Sequence, residues 1–334
     1  MPDNEGPLLS IIVINFGSEE YLQNLMYSLE KSTFKDFELI VGNIDNIKKS
    51  ADNIIEEKFS NLDQLKSTKT KLKLVRLEKN YGKPGNLNAL ASYAHGKYLL
   101  FLDNDTEILK DTIERAMNFL ERNPNLIVQL KLVYPNGLID SCGGLIDELG
   151  YPVELGRNEK AGESCFEVNE IFYAKGSAVL VERGIFKELG GFDETYFYEY
   201  DDTDFSFRAW KRGYRVVFFP AVVVHHEHGA LPKNAREREI RLVYFLESRR
   251  LYFLLKNFSR RYLVRKMPKV LFYFFGSMAM DLVKRRKFYL FKARLRALFW
   301  VISKLPVILK KRRAEIFINE DELVRRGLIL KHKR

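Results

Sequence analysis

Residues 98–108 read Tyr98-Leu-Leu-Phe-Leu-Asp103-Asn-Asp105-Thr-Glu-Ile108, an apolar run that stops at two carboxylates one residue apart. Side chains of an extended chain alternate between faces, so Asp103 and Asp105 leave a strand end on the same side and can converge on one ligand. An almost wholly apolar strand is buried on both faces, as in a parallel sheet covered by helices. Ligands of such sheets gather at the carboxyl ends of the strands, where this pair lies. Two aspartates suit a hard cation such as magnesium or manganese, which takes its remaining ligands from water and a substrate phosphate. Asp-Asn-Asp is also turn chemistry at a strand exit, and the stretch taken alone favours that reading.

The flanking sequence supplies the sheet. Leu8 to Ile14 is a short β-branched run, followed after Asn15-Phe16-Gly17-Ser18 by an amphipathic helix with Leu22, Leu25, Met26 and Leu29 on one face. Phe37–Gly42 and Leu72–Leu77 read as two further strands, separated by a polar, lysine-rich stretch expected to be helix and loop. The turn-rich segment Asn80–Asn88 leads into a helix, and after the opening strand comes another with Ile113, Ala116, Met117 and Leu120 on one side, ended by Asn123-Pro124. Alternating strands and helices predict a doubly wound α/β sheet, mainly parallel. Past residue 125 the pattern is less regular: turns at Asn136-Gly137 and Gly143-Gly144, a strand over Ile171–Val181, and a helix over Phe205–Lys211.

Three further groups can carry chemistry. Glu199, Asp201, Asp202 and Asp204 crowd the start of that last helix, where unpaired amides and the helix dipole favour carboxylates. Capping by Asp201 or Asp202 accounts for one of them, not for four acids within six residues. Such an acid can take a proton from a hydroxyl, or meet a cation or basic partner. Val222-Val-Val-His225-His226-Glu-His228 ends an apolar run in three of the five histidines, without the cysteine set or helical spacing of a zinc site. The loop Asn80–Asn88, with Gly82 and Gly85, can offer backbone amides to a phosphate or sugar, but matches no dinucleotide or Walker pattern.

Charge separates the chain into two parts. Residues 231–334 hold 29 Lys+Arg against 8 Asp+Glu, a net of +21, which leaves residues 1–230 at −10 of the total +11. We therefore expect a catalytic unit over 1–230 and a basic helical extension over 231–334. In the extension Leu242–Phe258, Val270–Met280 and Leu295–Leu309 alternate with basic clusters, a composition that can lie in a bilayer interface or form a subdomain or oligomer contact. Its longest uncharged run, Val270–Met280, is too short to span a membrane. The start Met-Pro-Asp-Asn-Glu-Gly-Pro has neither basic nor apolar character, which predicts no signal peptide. Cys142 and Cys165 fit no metal or redox spacing and are expected to be reduced thiols in a cytoplasmic setting. Nucleic-acid binding by the basic tail is a competing class, although no known module is present and the acidic first part would repel a phosphate backbone. Nucleotidyl transfer on a related α/β sheet is another.

In order and spacing, Ile11-Ile-Val-Ile-Asn15-Phe16, Asn80-x-Gly82, Leu102-Asp-Asn-Asp-Thr106, Gly190-Gly-Phe-Asp-Glu194, Asp201-Asp-Thr-Asp204 with Arg208, and Pro220 through His226 together resemble the family 2 glycosyltransferases of GT-A fold, particularly the rhamnosyltransferase-like branch. The resemblance covers about residues 8–230. It implies a nucleotide-sugar donor over the first strands, contacted by Asn15, Asn43 or Asp45, Asn80, Gly82, Asn86, Asp103 and Asn104. It implies Mn2+ or Mg2+ held by Asp105 and Asp103 with His226, His225 and His228 being alternatives in register. Asp202 matches the family's general base, and Asp201 stands where the family has glutamate. Val41-Gly42-Asn43-Ile44-Asp45-Asn46 departs from the family's Val-Asp-Asn, so the nucleobase is left open. The implied reaction is inverting transfer to a hydroxyl of a glycan or lipid-linked acceptor, with peripheral contact at the cytoplasmic face of the membrane and no nucleic-acid partner.

Overall fold

The computed structural model describes residues 6–15, 19–44, 71–226, 234–312 and 320–332. The expected helix and loop between the second and third strands, Asp45 and His228 lie outside the described residues.

The first half follows the expected alternation. Strand β1 (Leu9–Asn15), helix α1 (Glu19–Glu30), β2 (Phe37–Ile44), β3 (Lys71–Leu77), α2 (Gly82–Ala91), β4 (Tyr98–Asp103), β5 (Thr106–Ile108) and α3 (Thr112–Arg122) run in order. Then come β6 (Leu126–Val133), β7 (Ile139–Ser141), β8 (Gly144–Asp147), β9 (Pro152–Glu154), β10 (Asn169–Glu170), β11 (Ala178–Glu182), α4 (Arg183–Glu188), α5 (Asp201–Lys211) and β12 (Arg215–His225). The chain closes with α6 (Ala235–Asn257), α7 (Arg260–Val283), α8 (Phe288–Ser303), α9 (Leu305–Lys311), α10 (Glu320–Arg325) and β13 (Ile329–Leu330). The main sheet has the order β10-β12-β6-β11-β4-β1-β2-β3, with β5 on β12 and β7 on β6. β3, β2, β1 and β4 pair in parallel, and so do β6 and β12. β11 lies between β4 and β6 antiparallel to both, which makes the sheet mixed.

Period-two alternation divides the core. Ile11, Val13, Leu39, Val41, Leu100 and Leu102 face one side, covered by Leu22, Leu25 and Leu29 of α1 and Ile113, Met117 and Leu120 of α3. Ile12, Ile40, Leu99 and Phe101 face the other, against Leu87 and Leu90 of α2 and the aromatics Phe186, Phe192 and Phe205. This second layer continues without a break into Leu251, Tyr252, Phe253 and Phe258, so the core crosses residue 230. β13 then adds to β8 in parallel, tying the end of the described chain back to the first part.

Two expectations are corrected. The strand over Ile171–Val181 begins only at Ala178: the carbonyls of Ile171 and Phe172 are taken by Trp210 Nε1 at 3.2 and 3.1 Å instead of by a neighbouring strand. The cysteines are not free thiols, because Cys142 and Cys165 form a disulfide with Cα atoms 6.3 Å apart. The loop after β9 folds back on the β7–β8 turn, Cys142 donating its N–H to Leu155. Lys131, buried, then holds the second cysteine in place by donating to the carbonyls of Ala161, Ser164 and Cys165 at 2.8, 2.7 and 3.3 Å.

Candidate active site

Parallel pairing brings the carboxyl ends of β1, β2 and β4 to one edge: Ile14 lies opposite Asp103, and Asn15 opposite Asn43. Asp103 ends β4 and Asp105 sits in the turn before β5. β5 pairs antiparallel with the end of β12, Thr106 opposite His225, which carries that histidine to the aspartates. Asp103, Asp105 and His225 each offer a ligand atom, all within 4.8 Å of one another. Two carboxylate oxygens and an imidazole nitrogen form a donor set that fits Mn2+ or Mg2+, with room in the coordination shell for substrate and water oxygens.

Of His225 and His226, the imidazole that lies beside the two aspartates is that of His225. Successive residues of a strand point to opposite faces. His225 Nε2 lies 3.6 Å from Asp105 Oδ1, whereas His226 Nε2 pairs with Glu107 Oε1 at 2.7 Å and its ring packs 5.3 Å from that of Tyr21. Only the His226 backbone reaches the site, its N–H donating to the Asp105 carbonyl at 2.9 Å. Sequence left the register open because Pro220 interrupts the strand: pairing with β6 slips between Phe219 and Val222, a bulge that accommodates the missing N–H.

Three consecutive residues before β11 bind three different acids. Lys175 Nζ donates to both oxygens of Asp140 at 2.7 and 2.8 Å. The Gly176 N–H donates to Asp202 Oδ2 at 2.9 Å, and Ser177 Oγ to Asp103 Oδ2 at 2.6 Å. Asp140, fully buried, accepts from His225 Nδ1 at 2.8 Å. Burial alone would raise the Asp140 pKa, but His225 and Lys175 outweigh it and hold the carboxyl far below its usual range. Burial likewise pulls His225 down, yet its contacts with Asp105 and Asp140 lift the imidazole to about 9. That proton must leave before Nε2 can ligate a cation.

Lys83 Nζ bonds Asp103 Oδ1 at 2.7 Å. Burial opposes its charge, but Asp103, Asp201 and Asp202 together hold it above the ordinary lysine range. The turn that positions it needs Gly82: φ is +79°, and a Cβ there would lie 2.3 Å from the Phe197 carbonyl oxygen. The Lys83 N–H donates to that same carbonyl at 2.9 Å, locking the loop against the segment that leads to the acids. The backbone amides of this loop and the expected donor contacts Asn80, Gly82 and Asn86 are legible in the sequence, but Lys83 is not. Nor is Asp140, whose one signal is an acid in the apolar stretch Leu138-Ile139-Asp140 between two turns.

The four crowded acids have distinct environments. Asp204 is fully buried and bound by Arg208 at 2.7 Å and Lys256 at 2.6 Å, which keep it ionised. Burial, then the charge of Asp202, push Asp201 upward toward its neutral form, and Glu199 is raised for the same two reasons. Asp202 is partly exposed and faces Gly176 and Lys83. Its Oδ1 also accepts the Thr203 N–H at 2.6 Å. Neither Asp201 nor Asp202 is a helix cap: the capping position is Tyr200, left-handed at φ 65°, without a side-chain capping bond.

The other expected donor contacts divide in two. Asn104 Nδ2 donates to Asn15 Oδ1 at 3.2 Å and Asn15 Nδ2 to Asn43 Oδ1 at 3.5 Å, a polar row along the sheet edge. Asn80 and Asn86 instead hold their own loop: Asn80 Oδ1 accepts from Gly82 N and Asn86 Nδ2, and Asn86 Oδ1 from Tyr81 N.

The chain is 33% identical over 129 residues to the poly(ribitol-phosphate) beta-N-acetylglucosaminyltransferase TarS of Staphylococcus aureus, covering 38% of this chain and 21% of TarS. It is 32% identical over 144 residues to the GalNAc(5)-diNAcBac-PP-undecaprenol beta-1,3-glucosyltransferase of Campylobacter jejuni, 42% of each chain. The chain thus spans less than half the length of either relative. Among solved structures, GalNAc-T7 with UDP, GalNAc and Mn2+ superposes with a TM-score of 0.60 at 15% identity, over 94% of this chain and 59% of that one, a likeness of GT-A fold. Residues 10–190, more than half of the chain, match the family described as Glycosyl transferase family 2, and the chain belongs to that family.

Proposed function

We propose that the protein is an inverting, divalent-metal-dependent glycosyltransferase that moves a sugar from a nucleoside-diphosphate sugar to a hydroxyl of a glycan or lipid-linked acceptor. The observation that carries this reading is the Lys175–Ser177 segment, which joins the Asp103, Asp105 and His225 donor set to Asp202 at one sheet edge. The relatives support it: TarS is named for transfer to a poly(ribitol-phosphate), the Campylobacter enzyme for transfer to an undecaprenol-diphosphate glycan, and GalNAc-T7 was solved with UDP and Mn2+.

In this proposal Asn15, Asn43 and Asn104 line the donor side, and Asp105, Asp103 and His225 hold the cation. A bound divalent cation supplies charge neutralisation for the departing diphosphate. Asp202, its carboxylate oriented by the Gly176 and Thr203 N–H groups, takes the proton of the acceptor hydroxyl as that oxygen bonds to the anomeric carbon. The nucleoside diphosphate leaves from the opposite face in the same displacement, so the anomeric centre inverts and no enzyme nucleophile is required. Lys83 stays cationic beside Asp103 and keeps the acids from repelling one another.

Residues 231–334 act here as a basic extension of the catalytic unit 1–230, making peripheral contact with the cytoplasmic face of a membrane. No helix among the described residues is long and apolar enough to cross one. The test of the catalytic reading is a thermal-shift screen of nucleotide sugars with Mn2+ or Mg2+, followed by product analysis with the donor that raises Tm. Release of a nucleoside diphosphate and an inverted glycoside is expected; release of pyrophosphate would assign nucleotidyl transfer instead.

A further inference from the structure

Helix α7 buries one face and leaves the other apolar. Tyr262, Val270, Phe274 and Met278 pack inward. On the outside Val264 is 77% exposed, Leu271 38%, Phe272 73%, Phe275 50%, Leu282 39% and Val283 80%. At about 100° per residue these six fall within a stripe roughly 120° wide, and at 1.5 Å per residue it runs about 29 Å along the helix. The eleven residues Val270–Met280 carry no charge. Exposed basic side chains bracket the stripe, with Arg260, Arg261 and Arg265 at one end and Lys284, Arg285 and Arg286 at the other. A soluble surface seldom leaves so long an apolar strip uncovered.

We infer that this outward face of α7 lies in the interface of an anionic lipid bilayer, its aromatics in the acyl boundary and its two basic ends on the headgroups. The inference rests on the membrane contact proposed above and names the face that makes it. Charge selects the occupant. A second copy laid on the stripe would bring together two C-terminal regions of net +21 each, with basic clusters at both ends of the contact. Anionic headgroups reverse that sign, and an apolar strip between basic ends matches the layering of an interface, polar above and apolar below. The helix lies flat: its inner face is already occupied by protein core, including the fully buried Asp281, which pairs with Arg294 at 2.9 Å.

The test is flotation of the full-length chain with phosphatidylcholine vesicles, with and without phosphatidylglycerol. The wild type is expected to float with the anionic vesicles at low salt and to stay behind with the neutral ones. The variant Phe272→Ser/Phe275→Ser is expected to lose about tenfold in vesicle-bound fraction, with Tm and the nucleotide-sugar thermal shift unchanged. Lys284→Glu/Arg286→Glu should lose binding similarly. A wild type that never floats overturns both this face and the membrane contact, whereas a wild type and both variants that float equally overturn the face alone. A concentration-dependent dimer abolished by Phe272→Ser/Phe275→Ser assigns the stripe to a second copy and also overturns the inference. None of these readouts depends on transfer, so the catalytic reading stands or falls separately.

Discussion

His225 Nδ1 lies 2.8 Å from Asp140 Oδ2, and Asp140 has no exposed surface between that imidazole and the Lys175 ammonium. The carboxylate fixes the ring so that Nε2 turns toward Asp105. Asp140→Asn keeps the shape and removes the charge. It is expected to weaken Mn2+ binding by about 10- to 100-fold, read by calorimetric titration without any substrate. Unchanged affinity would reduce Asp140 to a packing role.

Asp105 is the buried carboxylate of the donor set. Asp105→Ala is expected to abolish Mn2+-stimulated transfer and the calorimetric Mn2+ signal together. Metal-stimulated turnover at the wild-type level would place the cation elsewhere.

For Asp202 the expectation separates binding from chemistry. Asp202→Asn keeps the shape and can accept only one of the Gly176 and Thr203 N–H groups, which the carboxylate takes on separate oxygens; it is a poor base, so turnover should fall about 100-fold or more while the donor still raises Tm. Full turnover in this variant would remove Asp202 as the base.

Glu148 gives a pH test of how the C-terminal helices are held. It accepts from Lys266 and Lys269 of α7, both at 2.5 Å. Burial raises its pKa, but the two lysines outweigh that and bring it from the ordinary 4.5 to about 2. A depressed folded pKa gives stability that is present above about 4.5 and lost as pH falls through about 2. The lysine side chains are 31% and 41% exposed, so solvent screening reduces the contribution to about 1 kcal/mol. Glu148→Gln is expected to lose that amount at neutral pH in urea unfolding and to flatten the acid side of the stability curve. An identical pH profile for the variant would show that the pair contributes nothing.

The parts of this molecule written as local periodicity could be read from the chain. The runs at Leu9, Phe37 and Tyr98 and the faces of α1 and α3 carry their pattern within a few residues, and so does the Asp103–Asp105 pair. What could not be read depends on pairing between distant segments. The choice of His225 over His226 is set by a bulge at Pro220 and by pairing with Thr106. Asp140, Lys83 and Ser177 reach the site from three other elements, and none stands in a motif. Ile171 and Phe172 have strand composition, yet Trp210 takes their carbonyls. The disulfide likewise joins residues 23 apart that only the fold brings together.

Lys175, Gly176 and Ser177 together contact Asp140, Asp202 and Asp103. Consecutive Cα atoms are fixed about 3.8 Å apart, so the tripeptide works as a ruler whose three marks are Asp140, which supports His225, Asp202, the proposed proton acceptor, and Asp103. The Gly176 N–H and the short Ser177 hydroxyl tie the spacing of Asp202 and Asp103 closely to the backbone, while Lys175 reaches Asp140 through its side chain. Lengthening or shortening this stretch by one residue would misalign all three at once, whereas the acceptor and donor surfaces around it can be recut without disturbing that spacing.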